Sequence, residues 1–340
     1  MIAALKRIPE RWPGLVRWLK IALAVAVLGL AAFLLRRALQ GQDPAVLWQT
    51  ITAAPAARLW GAFGFALASY ACLTLFDYLA LHYAGKPLAY PRVALASFTS
   101  LSLGHNLGFA ALSSGAIRYR FYSRWGLTGV EVAKVILFCG ATVGIGLAML
   151  TAISLALQPE LAVKLTGLSP LQLSLIGGGI VLLLIGYLAA CAFWRGEREL
   201  RGHRVKLPSL RLALGQFAIG TVNFALVAAC LQQALAIVAE TSYPDVAAAY
   251  VLANLATLVS HVPGGLGVIE TVVGHLFGAG EVIAGLVLFR LVYFIVPLIC
   301  GALLFAASEL FIQRAATGSA AHDRPASASA GAGAPDPARP

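Results

Sequence analysis

Apolar residues occupy this chain in long runs, at about Trp18 to Leu35, Leu59 to Leu81, Val130 to Leu157, Leu171 to Phe193, Leu212 to Val238 and Val282 to Ile312. A hydrocarbon layer about 30 Å thick needs roughly 20 apolar residues per helical crossing. The runs therefore predict six full transmembrane helices. Two further stretches, Val93 to Ser114 and Val246 to Phe277, are nearly as apolar but are interrupted by Ser, His, Asn, Pro and Gly. They read as broken helices that enter the membrane and return; if both crossed instead, there would be eight spans. From Thr317 to Pro340 the chain is mostly Ala, Pro, Gly and Ser and is expected to be disordered. The fold class predicted is all-α, one integral membrane domain over residues 1–316, with halves at about 15–157 and 171–312.

Composition agrees with a lipid solvent. Of 340 residues, 60% are hydrophobic and only 11% charged, and mean hydropathy is +0.83, outside the range of water-soluble domains. The net charge of +11 does not indicate nucleic acid, because lysines and arginines gather at the ends of apolar runs, as beside anionic headgroups. Five cysteines stand singly in apolar segments, without the spacing of a zinc or redox site, and read as small packing residues. No cofactor or metal is predicted; His105 and His261 make a weak metal pair. The basic start (Lys6, Arg7, Arg11, Arg17, Lys20) leads into the first run without a cleavage signal, so that run reads as a retained helix.

Positive charge in short loops sets orientation. The basic N-terminus and the joint Arg195 to Lys206 fall on the cytoplasmic side, and the joints Gln158 to Ser169 and Ala239 to Asp245 on the other. Arg36, Arg37 and Arg58 violate the pattern. With both broken stretches re-entrant, Arg118, Arg120, Arg124 and Arg314 stay near the cytoplasm, with both termini inside. Each half then reads crossing, crossing, dip, crossing, in opposite orientation, a layout of transporter folds with interrupted helices.

The first broken stretch ends in Ser113-Ser114-Gly115-Ala-Ile-Arg118-Tyr-Arg120. Arginine forks suit phosphate, and two readings are open for Arg118 and Arg120: contacts to an anionic ligand, or anchors at a helix end. The second carries Pro263-Gly264-Gly265-Leu-Gly267-Val-Ile-Glu270, which predicts a tight turn opening a short helix; without a preceding strand it is not a nucleotide loop. Glu270 either contacts a cationic group or pairs with a basic neighbour such as Arg290. Gly115-Ala-Ile-Arg118 and Gly267-Val-Ile-Glu270 share Gly-x-Ile followed by a charge of opposite sign, and are expected to be a symmetric, coupled pair. Asp77 and Arg290 lack a partner nearby in sequence and are candidate functional charges. Glu131 and Lys134 are expected to satisfy each other, and Gly140-x-x-x-Gly144 to pack helices.

The segment Asn106-Leu-Gly-Phe-Ala-Ala-Leu-Ser-Ser-Gly-Ala-Ile-Arg-Tyr-Arg-Phe-Tyr-Ser123 followed by Pro263-Gly-Gly-Leu-Gly267 and Glu270 resembles the lysylphosphatidylglycerol synthase transmembrane family, the flippase half of the multiple peptide resistance factor, over about residues 15 to 312. The resemblance implies a bacterial inner-membrane protein that moves an aminoacylated or anionic phospholipid such as lysyl-phosphatidylglycerol between leaflets. It implies resistance to cationic antimicrobial peptides, and Asn106, Pro263, Gly264, Gly265 and Gly267 as part of the cargo region. The expected partners are phospholipid and a separate lipid aminoacyltransferase, since the chain carries no such domain; a homo-oligomer is also open, and no nucleic acid is expected. No covalent chemistry is expected. The alternatives are a scaffold for a lipid-modifying enzyme, and an intramembrane hydrolase using Ser113 or Ser114, in which Leu112 replaces the first glycine of the rhomboid-like G-x-S-G.

Overall fold

The computed structural model describes residues 43–104, 110–193, 197–200, 203–260, 267–278 and 282–322, together with Gly29, Gly265 and Gly280. Apart from Gly29, the predicted first crossing therefore lies outside the described residues, as do Asn106, Pro263, Gly264, His105, His261 and residues 323–340.

Among the described residues, five helices are long and apolar enough to cross a membrane. A short helix, α1 (Pro44–Ala53), precedes them, capped by Asp43, whose Oδ1 accepts from Ala45 N–H at 2.8 Å. The first of these five is α2 (Ala56–Tyr83). A hairpin of two 15-residue helices follows, α3 (Tyr90–Gly104) and α4 (Ala110–Arg124). Each is about 22 Å long at 1.5 Å per residue, short of a hydrocarbon layer. The next crossing, α5 (Gly129–Leu157), starts with a reciprocal cap between Thr128 and Glu131. After α6 (Pro159–Thr166) come the crossings α7 (Pro170–Phe193) and α8 (Leu210–Leu235). A second hairpin pairs α9 (Tyr243–Ser260) with the 10-residue α10 (Val268–Phe277). The last crossing is α11 (Ile283–Arg290), a π-helical segment (Leu291–Ile295) and α12 (Val296–His322).

The fold is thus nearly all helical, as expected. The exception is a small antiparallel hairpin in the charged joint, β1 (Glu197–Leu200) and β2 (His203–Lys206), with Glu197 opposite Lys206 and Leu200 opposite His203. Helix α12 stays helical to His322, further than Ile312, where the last crossing was expected to end.

The long helices α2 and α8 form the centre and pack against each other. Helix α5 packs on both, α3 on α2, α9 on α8, and α11 with its π segment on α8 and α2. Hairpin α3–α4 touches α12 and α5, and hairpin α9–α10 touches α5 and α11. Helix α7 lies at the periphery with Leu171, Leu175, Leu182, Leu183 and Phe193 outward. Leu137 and Leu303 of other crossings also face out. Rows of outward leucine on helices with buried polar residues are what a hydrocarbon solvent favours and water does not.

Close approaches rest on glycine. A Cβ on Gly146 of α5 would overlap the backbone of Gly220 on α8, and one on Gly285 would come within 2.7 Å of the Ala234 carbonyl. The predicted packing pair Gly140 and Gly144 instead faces outward, with nothing within 4 Å of either Cβ position; the helix contact is made two residues further on. The π segment also has a local cause. Pro297 has no N–H for the Tyr293 carbonyl four residues back and its ring crowds that carbonyl. The chain widens so that Val296 N–H reaches Leu291, and the Tyr70 hydroxyl of α2 donates to the Tyr293 carbonyl at 3.2 Å.

Candidate functional site: paired charges at the two hairpins

Asp77 sits in the last turns of α2 and is fully buried. Arg118, in the middle of α4, reaches it with its fork: Nε donates to Oδ1 and Nη2 to Oδ2, both at 2.8 Å. The remaining Nη1 donates to Ser114 Oγ at 3.0 Å. Asp77 also accepts from the Tyr122 hydroxyl at 2.9 Å and from Ser97 Oγ at 2.6 Å. The carboxylate therefore takes four donors and the guanidinium loses contact with water, its side chain 4% exposed against 0% for Asp77. Such a pair survives in a low dielectric because each charge is compensated and its lone pairs filled. The helical spacing from Ser114 through Arg118 to Tyr122 aims all three at α2 from one face of α4.

The second hairpin is tied differently. Gly265 and Gly267 have φ of +60° and +82°, which glycine adopts without penalty; a Cβ on Gly265 would also meet Thr257 Oγ1 at 2.9 Å. Both glycines thus hold the backbone a tight turn requires, and the short helix opens at Val268. Glu270 lies in its first turn, where a carboxylate suits the helix dipole, and accepts from Gly267 N–H at 2.9 Å. Arg290, at the end of α11, donates to Glu270 from Nε at 2.8 Å and from Nη2 at 3.1 Å. Its Nη2 also reaches the Gly265 carbonyl at 2.9 Å, and its guanidinium lies over the Phe294 ring, 4.8 Å from the centroid. Glu270 remains partly open, 31% exposed in its side chain.

A third cluster joins α4 to α12. Glu309 accepts from Arg120 Nε at 2.9 Å and Nη2 at 2.6 Å, and from Arg124 Nη1 at 2.8 Å and Nη2 at 3.2 Å.

These partners revise several expectations. Asp77 and Arg290 have no near neighbour of opposite charge in sequence, but each has one in space. Glu131 does not pair with Lys134; it caps Thr128 and faces Lys86 at 3.6 Å, because the capping geometry turns its carboxylate back toward the loop, while Lys134 is exposed. Arg118 and Glu270 are not partners of one another. Their shared Gly-x-Ile pattern is also not equivalent locally: Gly115 lies inside α4, whereas Gly267 caps α10.

Sequence reasoning named Arg118, Asp77 and Ser114 but missed Ser97 and Tyr122, the bond from Arg118 to Ser114, and that Glu309 collects two arginines. It also missed a buried polar contact between the central helices. There Ser69 Oγ donates to Asn223 Oδ1 at 2.8 Å and lies 3.1 Å from the Tyr293 hydroxyl. Gln216 bonds to Thr142 Oγ1 at 3.0 Å and accepts from Tyr187 at 2.6 Å. The available signal was an amide in the middle of an apolar run, as at Gln216 and Asn223. Among the described residues, no group of three or more His, Cys, Asp or Glu is placed to hold a metal.

Known proteins of similar sequence agree with this picture of the chain. The family model described as the lysylphosphatidylglycerol synthase TM region matches residues 17–301. The uncharacterized protein slr0712 of Synechocystis sp. is 31% identical over 313 residues, covering 87% of this chain and 95% of that protein. The inner membrane protein YbhN of Escherichia coli strain K12 is 28% identical over 260 residues, covering 74% of this chain and 80% of that protein.

Proposed function

The chain belongs to the family of lysylphosphatidylglycerol synthase transmembrane regions, and from that membership we propose that it translocates an anionic or aminoacylated phospholipid, such as lysyl-phosphatidylglycerol, across a bacterial inner membrane. The observation that carries the proposal is the Asp77–Arg118 pair. A charged pair deep in a membrane protein is costly to install, and here it fastens a helix too short to span to a helix that does. Transporters place such non-spanning helices beside their cargo route.

The packing pattern supports an inverted repeat. Let α2, α3, α4 and α5 correspond to α8, α9, α10 and the last crossing. The contacts α2–α3, α3–α4, α4–α5 and α2–α5 then recur as α8–α9, α9–α10, α10–α11 and α8–α11. Between halves, α5–α8 recurs as the π segment against α2, and α5–α9 as α12–α3. With the first crossing counted, each half has three spans, and an odd number turns the second half upside down. Both hairpins are then re-entrant, from opposite faces, and both termini are cytoplasmic. A separate lipid aminoacyltransferase would supply the cargo, and moving it outward would lower surface charge against cationic peptides.

The test is reconstitution in vesicles carrying a headgroup-labelled phospholipid in one leaflet, with lipid extraction in parallel. Translocation predicts leaflet exchange with an unchanged lipid inventory, slowed at least tenfold in the charge-reversed Asp77→Arg, Arg118→Asp protein. Exchange no faster than in empty vesicles, with any of the candidate lipids, refutes it; a new lipid species would make the chain an enzyme.

A further inference from the structure

The cluster on α4 and α12 has an excess of cations. Helix α4 carries Arg118, Arg120 and Arg124, and Asp77 consumes the first. Arg120 and Arg124 share the single carboxylate of Glu309. One positive charge is left over, and two donors, Nη1 of Arg120 and Nε of Arg124, make no hydrogen bond to the described residues. The arginine side chains are 51% and 30% exposed, while Glu309 is 6% exposed. The acid is thus the floor of the cluster and the guanidinium groups are its open rim.

Its depth indicates which anion reaches it. Glu309 lies one turn before the end of the apolar run that closes at Ile312 and gives way to Gln313 and Arg314, so the cluster lies near the level where hydrocarbon gives way to headgroups. Phe305, one turn earlier, has the Arg120 guanidinium over its ring at 5.8 Å, and Phe121 meets Phe305 edge-on and Trp125 at a tilt. Aromatic rings beside arginine at a helix end are the furniture of the membrane interface. Nη1 of Arg120 and Nε of Arg124 are the donors that Glu309 leaves over, and a phosphodiester offers two oxygens in the geometry guanidinium prefers.

We propose that Arg120 and Arg124 bind the phosphate of an anionic phospholipid at the membrane surface, with Glu309 as the internal anion that competes for them. This deepens the translocation reading by naming where cargo docks before it moves, and it rests on that reading only for the direction of travel. Because the arginines belong to one half of the chain and Glu309 to the other, a bound phosphate replaces a contact that joins the halves. Docking thereby loosens α4 from α12.

The site is tested by binding alone, with the full chain purified in a mild detergent and titrated with phosphatidylglycerol, the retained lipid being counted by native mass spectrometry. Arg120→Gln with Arg124→Gln lowers apparent affinity about 25-fold, and Glu309→Gln raises it about fivefold, on the scale of one surface arginine per fivefold. The opposite signs separate binding from folding damage, which only lowers retention. Arg120→Lys with Arg124→Lys, keeping charge but losing the forks, falls between. Inorganic phosphate at the same concentration leaves phosphatidylglycerol in place. Equal retention by wild type, the Gln pair and Glu309→Gln overturns the proposal, as does displacement of the lipid by inorganic phosphate, which would make the cluster a soluble-anion site. A negative leaflet-exchange assay with these affinities as expected would remove translocation and leave the docking site standing.

Discussion

Removing Arg118 alone strips three hydrogen bonds, two to Asp77 and one to Ser114, and leaves a fully buried carboxylate with only the Tyr122 and Ser97 hydroxyls. Breaking one side of a buried ion pair costs about 3–5 kcal/mol, because the surviving charge has lost its compensation. Neutral replacement of both sides, as in Asp77→Leu with Arg118→Met, removes the stranded charge as well and should cost no more than about 1–2 kcal/mol, since an apolar pair of similar volume often substitutes without loss. A double-mutant cycle on Asp77→Leu and Arg118→Met therefore predicts a coupling of at least about 3 kcal/mol, the double variant being more stable than either single one. The assay is equilibrium unfolding of purified protein in mixed micelles with increasing SDS, followed by near-ultraviolet circular dichroism. Additive losses, within about 0.5 kcal/mol, would mean that the two residues do not share one electrostatic unit. The Arg118 single variants should thus fail first by instability, and any transport defect in them is uninterpretable unless the double variant is measured beside them.

Two further substitutions follow from the packing. Gly146→Ala must push α5 away from Gly220 and should cost about 1–3 kcal/mol in the same assay, whereas Gly140→Ala and Gly144→Ala, which meet nothing, should stay within about 0.5 kcal/mol; equal effects would contradict the crossing point. Tyr70→Phe withdraws the donor from the Tyr293 carbonyl and should cost about 1–3 kcal/mol, but distinctly less in a Pro297→Ala background, where residue 297 regains an N–H for that carbonyl; an undiminished loss there would separate the π segment from Tyr70.

How much of this was legible in the sequence follows from the range of each interaction. Crossings depend on a sum of transfer free energies over about 20 neighbouring residues, so α2, α5, α7, α8 and the last crossing all fall close to the apolar runs that predicted them. The broken stretches were legible for the same reason: glycine at positive φ acts within one or two residues, and Gly265 and Gly267 are where the turn was placed. Pairing across helices has no such local signature. Asp77 and Arg118 are separated by 41 positions and Arg120 and Glu309 by 189, and a linear reading supplied near neighbours instead, as in Glu131 with Lys134.

The errors share one cause. Gly140-x-x-x-Gly144 satisfied a spacing rule, but spacing defines a face without saying what lies opposite it, and the face that met α8 was set by Gly146 and Gly220 together. The Gly-x-Ile-charge match has the same limit, since a helix interior and a helix cap can share four letters while holding their side chains in different directions. A stronger sequence signal for this fold is charge cost. In a chain whose helices lie in hydrocarbon, every Asp, Glu or Arg retained at depth implies a partner, so an acid and a base without near neighbours are evidence for each other. Applied to Asp77, Glu270, Arg290 and Glu309, that rule requires long-range pairs before any coordinates are known, and α4, with the surplus of arginine, is the helix on which an external anion remains to be accounted for.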